Sequence, residues 1–178
     1  MQCDIKHSVL QVFSKIKKDW LCCEIKTGTV ILERMILMSK VAIVYWSGTG
    51  NTEAMANAVA EGVTEKGAEA STFTASDFSA DKVAEFDAIA FGCPAMGAEE
   101  LEDSEFLPMF ESCTDSLNGK KIALFGSYGW GDGEWMRNWE ETCKNAGAVL
   151  ACDSVICADA PDDDATAACK ALGAALAE

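Results

Sequence analysis

The hydroxyl- and glycine-rich segment Ser47-Gly48-Thr49-Gly50-Asn51-Thr52 has the chemistry of an anion site. Gly48 and Gly50 let the backbone approach a phosphate closely, several N–H groups can converge on it, and Ser47, Thr49 and Thr52 add hydroxyl donors. No lysine or arginine stands in the loop, and it lacks the Gly-Lys-Ser/Thr ending of a P-loop, which makes ATP and GTP poor ligands for it. A second segment, Ser127-Tyr128-Gly129-Trp130-Gly131-Asp132-Gly133, sets an indole between glycines. Their freedom lets the backbone wrap the edge of a flat ring and offer it N–H groups. A third, Ala95-Met96-Gly97-Ala98-Glu99, presents a polarizable thioether suited to an aromatic face. The only histidine is His7, so chemistry at positions 38–178 proceeds without imidazole. That excludes Ser-His and Cys-His nucleophilic catalysis and most zinc hydrolase designs.

Strands that end at these loops are needed to position them. Val41-Ala42-Ile43-Val44-Tyr45 is fully apolar, as in a parallel strand buried on both faces, and it runs into the first loop. A helix is expected from about Thr52 to Lys66, with Met55, Ala56, Val59, Ala60 and Val63 inward and Gly67 as its stop. Ala70–Thr74 alternates and reads as an edge strand, and Asp87–Gly92 is the third strand, ending in a loop over 93–101. Phe106, Leu107, Met109 and Phe110 give a helix broken or started around Pro108. Lys121–Gly126 is the fourth strand, followed by the second glycine-rich loop and a helix from about Glu134 to Asn145. Val149–Ile156 reads as one continuous fifth strand, and Asp162–Asp164 caps a C-terminal helix to about Ala177. The alternation, taken as five strands and five helices, is that of a doubly wound α/β sheet. Ligands of such sheets sit beyond the carboxyl ends of the strands, so loops 46–52, 93–101 and 127–133 should meet there.

The charge is unevenly distributed. Residues 1–37 hold six Lys/Arg against four acids, which leaves 8 basic and 25 acidic residues for positions 38–178, a balance of −17. Such a surface repels nucleic acid and anionic membrane and steers toward basic patches on partner proteins, with a strong salt dependence. The nine cysteines are scattered, odd in number and without a CxxC pair, which suits free thiols in a reducing cytoplasm and is too sparse for a zinc or iron–sulfur site. No apolar run is long enough to span a bilayer. In the N-terminal 37 residues, Ile5, Val9, Val12, Phe13, Ile16 and Trp20 recur at helical spacing with lysines elsewhere on the wheel, one reading of which is a basic amphipathic helix. The other is an appendage ahead of a domain that begins at Met38, as an upstream start codon would produce, with Met35 and Met38 as internal starts. It is not a secretory signal, because charges interrupt every candidate apolar core and no small-residue cleavage site follows.

Read together, the three loops describe a flavin mononucleotide (FMN) site, and over positions 38–178 they closely resemble the short-chain flavodoxins of the clostridial type. The resemblance rests on Tyr45-Trp46-Ser47-Gly48-Thr49-Gly50-Asn51-Thr52, on Pro94-Ala95-Met96-Gly97 and on Gly126-Ser127-Tyr128-Gly129-Trp130-Gly131-Asp132-Gly133, in that order, and on a fifth strand without a long inserted loop. It implies a flavodoxin-like doubly wound five-stranded parallel sheet, strand order 2-1-3-4-5, in three layers. It also implies that Ser47–Thr52 bind the FMN phosphate, that Met96 and Trp130 lie on opposite faces of the isoalloxazine, that the Gly97 carbonyl turns toward flavin N5 on reduction, and that Glu99 accepts from flavin N3–H. Ala95, Ala98, Ser127, Tyr128, Gly129, Gly131 and Asp132 complete the expected contact set. Where the clostridial pattern has Gly-Asp-Glu, this chain has Gly97-Ala98-Glu99, and the Cβ of Ala98 makes a left-handed conformation there more costly.

The residues leave bland alternatives beside these roles. Trp130 alone could be an interface tryptophan and Met96 a gap filler, Trp46 could pack under the phosphate loop without touching flavin, and Trp135, Trp139 and Cys93 read as packing groups. The expected function is that of a low-potential one-electron carrier, shuttling between semiquinone and hydroquinone, with no substrate chemistry of its own. Glu99, Glu100, Glu102, Asp103 and Asp132 lie on or near the loops. One such charge roughly 8 Å from an anionic reduced flavin, at an effective dielectric near 20, costs about 2 kcal/mol, or roughly 90 mV in a one-electron couple. The expected partners are redox proteins with basic docking faces, such as ferredoxin-type oxidoreductases, met by a monomer. An FMN-dependent NAD(P)H reductase is the rival from the enzyme class, but there is no second GxGxxG unit and no basic residue in the loops to grip a nicotinamide phosphate. A receiver-like signalling domain of the same topology would need an acidic cluster after strand one and a lysine after strand five, and Tyr45-Trp46-Ser47 and Ile156-Cys157-Ala158 offer neither.

Overall fold

The structure is a computed structural model that describes residues 38–178. The expectations for residues 1–37 lie outside that range. Parallel strands β1 (Lys40–Tyr45), β2 (Glu69–Thr74), β3 (Ala88–Gly92) and β4 (Lys121–Tyr128) form a sheet in the order β2-β1-β3-β4. Its last place is filled by two short strands, β5 (Val149–Leu150) and β6 (Val155–Ala158), both parallel to β4. The strand order is the expected 2-1-3-4-5.

The expected continuous strand over 149–156 is therefore divided. Leu150 pairs with Ile122 and Val155 with Phe125, so five steps along the edge oppose three along β4. The surplus forms a bulge at Cys152-Asp153-Ser154, where no β-branched or aromatic residue favours the ladder. There the Ser154 hydroxyl donates to Glu140 Oε1 at 2.6 Å.

Side-chain alternation along the strands sorts the core into two layers. Val41, Ile43, Ala88, Ala90, Ala123 and Phe125 face helices α1 (Asn51–Glu65) and α4 (Asp163–Ala177). Ala42, Val44, Ile89, Phe91, Ile122 and Leu124 face α2 (Phe106–Cys113) and α3 (Glu134–Asn145). The first face is rich in alanine, and its two helices pack closely: a Cβ on Gly62 would overlap the Lys170 carbonyl, and one on Gly173 the Val59 carbonyl. The second face is filled by large rings, with Phe106 and Phe110 edge-on to Trp139 at 5.4 and 5.6 Å between centroids.

Four α-helices lie among the described residues, not five. The crossover from β2 to β3 runs through two 3₁₀ turns, Ala75–Asp77 and Ala80–Glu85. Phe78 and Phe86 each end a turn in extended backbone and bury their rings near Phe73, which leaves too few residues between them for an α-helix. Helix α2 starts two residues before Pro108, so the proline occupies the first turn, where its missing N–H costs no helical bond.

Candidate functional site

The three loops meet at the carboxyl end of the sheet. Trp46 donates its backbone N–H to the Gly92 carbonyl at 3.0 Å, and Ala95 donates to the Ser127 carbonyl at 2.9 Å, which ties the first loop to the second and the second to the third. A buried link joins first to third directly, with Thr52 Oγ1 3.3 Å from Ser127 Oγ.

The first loop ends in Gly50 at φ 89°, a conformation open to glycine, and this residue opens α1. Ser47 Oγ accepts from the Gly50 N–H at 3.0 Å and holds the turn. No side chain caps α1, so the amides of its first turn are left for another acceptor at the positive end of the helix dipole. Trp46 packs beneath: a Cβ on Gly48 would come to 3.0 Å of its ring.

Beside this helix end lies a cavity of about 340 Å³. Of the expected contact residues, Gly48, Thr49, Asn51, Ala95, Met96, Ser127, Tyr128 and Gly129 line it, together with Trp46. Ser47, Gly50 and Thr52 are not part of this lining. Met96 and Trp130 are among the few large apolar side chains left exposed, at 39% and 64%. Trp130, Gly97, Ala98, Glu99, Gly131 and Asp132 are not part of this lining.

Residues 96–100 form a tight reversal. Met96 and Glu100 exchange two backbone bonds at 2.8 and 2.9 Å, and the left-handed residues between them are Gly97 (φ 49°) and Glu99 (φ 57°). Ala98 is not left-handed, so the unfavourable conformation falls on Glu99, where a side chain with a Cβ costs about 1 kcal/mol or more. Its carboxylate offsets this by accepting from the backbone N–H groups of Asp132 at 2.7 Å, Trp135 at 3.3 Å and Glu134, which caps α3 and binds the second loop to the third. Gly131 lies beneath it at φ 98°, a conformation that favours glycine, and a Cβ there would displace the Glu99 carboxylate.

Glu102 performs the same service for α2. It is 4% exposed and accepts from the N–H groups of Phe106 at 2.8 Å, Glu105 at 2.9 Å and Ser104 at 3.0 Å, and from the Ser104 hydroxyl. Burial alone raises its carboxyl, but these donors outweigh burial and hold it below the usual carboxylate range. The Glu102 N–H in turn points at Cys93 Sγ, 3.3 Å away. Cys93 is fully buried, and burial pushes its thiol up to about 12, which keeps it protonated and unreactive. Trp135 and Trp139 are buried packing groups, as expected.

Two features escaped the sequence reading. Asp159, left-handed at φ 55°, lines the cavity from a fourth loop and donates its N–H to the Tyr128 carbonyl at 2.8 Å. The rule that placed the other loops applies equally to the end of the fifth strand and could have found it. Arg137 pairs with Asp132 at 2.7 Å and bonds its carbonyl at 2.8 Å, so one of the five expected loop charges is compensated.

A family model described as flavodoxin matches residues 43–172. The chain is 48% identical to the flavodoxin of Megasphaera elsdenii over 138 residues, which cover 78% of this chain and 98% of that protein. It is 49% identical to the flavodoxin of Clostridium beijerinckii over 121 residues, covering 68% and 88%. The solution structure of the two-electron reduced Megasphaera elsdenii flavodoxin superposes with a TM-score of 0.72, covering 77% of this chain and 98% of that one. Flavodoxins bind FMN and carry electrons with it. The uncapped helix end beside Ser47, Thr49 and Thr52 fits a phosphate, and the adjoining cavity, lined by the exposed Met96 thioether, Trp46 and Tyr128, fits a flat aromatic ring. The family match spans most of the sequence, strand order and loops agree with it, and this chain belongs to the flavodoxin family.

Proposed function

We propose that this flavodoxin is a low-potential carrier of single electrons, moving between the semiquinone and hydroquinone forms of a non-covalently held FMN, and that it performs no substrate chemistry of its own. The observation that carries the reading is the uncapped end of α1 opening beside a cavity whose surroundings are acidic and whose lining holds no basic side chain. When bound, FMN supplies the electron chemistry, and the chain's residues bind and orient it. The hydroxyls of Ser47, Thr49 and Thr52 and the amides of residues 48–52 hold the phosphate. Met96 and Trp130 cover the ring faces, and residues 95–99 and 127–132 border its edge.

Charge supports the low potential. Glu100, Asp103 and Asp159 are exposed carboxylates on the loops around the site, while Asp132 is offset by Arg137. Adding an electron among such charges is opposed by about 2 kcal/mol for each one near 8 Å. The acidic surface favours transient docking on basic faces of oxidoreductases of the ferredoxin-linked kind. A monomer in the cytoplasm suits such a carrier, with residues 38–178 as its FMN-binding domain and residues 1–37 as an extension. Among the described residues, no helix is long and apolar enough to cross a membrane.

An anaerobic dithionite titration of the FMN-reconstituted protein, followed by visible spectroscopy, tests the reading. A blue neutral radical before bleaching is the expected result. Direct two-electron bleaching with steady NAD(P)H oxidation favours the reductase alternative, and failure to bind FMN refutes both.

A further inference from the structure

Exposure divides the methionines of the described residues into two groups. Met55, Met136 and Met109 are 0%, 3% and 7% exposed, whereas Met38 and Met96 are 40% and 39% exposed. Met38 precedes the start of β1, at the far end of that strand from the phosphate loop, and Met96 alone of them lines the cofactor cavity. The two backbone bonds between Met96 and Glu100, at 2.8 and 2.9 Å, hold its side chain at this position. A solvent-open thioether reacts with a peroxide at any ordinary pH, because its sulfur lone pair needs no deprotonation. Thiols compete only as thiolates. Burial raises all six thiols of the described residues, the partly exposed Cys152 and Cys157 included, so they are protonated at pH 6.

We propose that Met96 is a modification site for hydrogen peroxide, that its sulfoxide closes the cavity to the isoalloxazine, and that bound FMN shields it. The inference rests on the FMN reading for the identity of the shield. In the reaction the Met96 sulfur lone pair attacks one peroxide oxygen, so that an S–O bond forms and the O–O bond breaks. The other oxygen leaves as hydroxide and takes the proton of the transferred one, giving water. Sulfur is oxidised by two electrons and the peroxide is reduced by two. The product sets a strongly polar oxygen where a polarizable sulfur would meet a ring, and that oxygen must lose its water before a ring can enter. With its backbone tied to Glu100, residue 96 cannot carry the altered side chain away. Modification and cofactor binding therefore exclude one another. A chain emptied of FMN in the presence of peroxide stays empty until a sulfoxide reductase with a thiol reductant restores the thioether.

The test treats the full chain, without FMN and saturated with it, with dilute hydrogen peroxide at pH 6, and follows each methionine by peptide mass spectrometry. Without FMN, Met96 and Met38 should oxidise within about two-fold of each other in rate, and Met55 and Met136 roughly ten-fold more slowly. With FMN, Met96 should slow by about ten-fold while Met38 is unchanged. Met96 oxidation as slow as that of Met55 in the FMN-free chain, or equally fast with and without FMN, overturns the proposal. The oxidised chain, freed of peroxide, is then titrated with FMN by quenching of flavin fluorescence. Its affinity should be roughly ten-fold below that of the untreated chain and should return after treatment with methionine sulfoxide reductase and dithiothreitol. Met38→Leu should show the same fall on oxidation, and Met96→Leu no further loss from whatever affinity it starts with. A fall in Met96→Leu equal to that of the wild type places the damage elsewhere and overturns the closure. If the untreated wild type binds no FMN, the cofactor reading itself fails and the shielding with it.

Discussion

Replacing Glu102 by glutamine should destabilise the domain in a manner set by pH. The native carboxylate accepts four hydrogen bonds, three from backbone amides at the start of α2 and one from the Ser104 hydroxyl. A glutamine carbonyl can keep the two at one oxygen, but its NH₂ then faces the two donors at the other. Losing two charge-assisted bonds and leaving buried donors opposed, with partial relaxation, costs about 3 kcal/mol at pH 7. For a domain of this size that lowers Tm by roughly 6–12 °C. The folded-state carboxyl is held below its ordinary value of 4.5, so its contribution to stability is complete above that value and is lost as pH falls through the lower folded value. Thermal unfolding of wild type and Glu102→Gln should therefore differ most at pH 6–7 and converge as the pH is lowered below 4. A gap that stays constant with pH would mean that the side chain acts through packing alone, and the capping argument would be wrong.

Gly62→Ala and Gly173→Ala should each lower the urea midpoint, by about 1–3 kcal/mol in stability, because either methyl meets a carbonyl of the opposing helix and α1 must separate from α4. Iodoacetamide at pH 8 should leave Cys93, Cys143 and Cys169, whose thiols burial pushes up to about 12, unmodified until urea unfolds the chain, as peptide mass spectrometry would report; prompt labelling of Cys93 would contradict its burial. Ala98→Gly removes the Cβ that opposes reorientation of the Gly97–Ala98 peptide, worth about 1 kcal/mol, and should widen the separation of the two one-electron potentials by roughly 40 mV in spectroelectrochemistry. Unchanged potentials would dispose of that role.

The convergence of the loops was legible because it follows from local pattern, apolar runs buried on two faces and each ending in residues that cannot continue a strand, whereas the strand order came with the resemblance to the family. The turn into α1 was legible for the same reason, since Gly48 and Gly50 follow an apolar run that they cannot extend. What sequence could not supply was pairing across distance. Nothing near Glu99 or Glu102 announces that each carboxylate will close the start of a different helix, because the partner amides are identical in every sequence. The bulge at Cys152–Ser154 depends on where β4 offers its carbonyls, and the turns at 75–85 on how Phe78 and Phe86 find the core. The left-handed conformation of Glu99 gave no signal in sequence, because it follows from the reversal closed by Met96 with Glu100.

The carboxylates around the cofactor loops are not a uniform cloud of charge. Glu99 and Glu102 are mortised into helix ends, whereas Asp103 and Glu111 stand free at the surface. An attempt to raise the reduction potential by stripping negative charge would thus meet two kinds of acid that look alike in a sequence. Removing the free kind alters the field and spares the frame, while removing the mortised kind loosens the starts of α2 and α3. Any potential measured on such a variant would mix the two effects. The surface carboxylates are therefore where charge can be removed with least disturbance of the architecture, whereas Arg137, which bonds the Asp132 carbonyl, belongs in part to the frame.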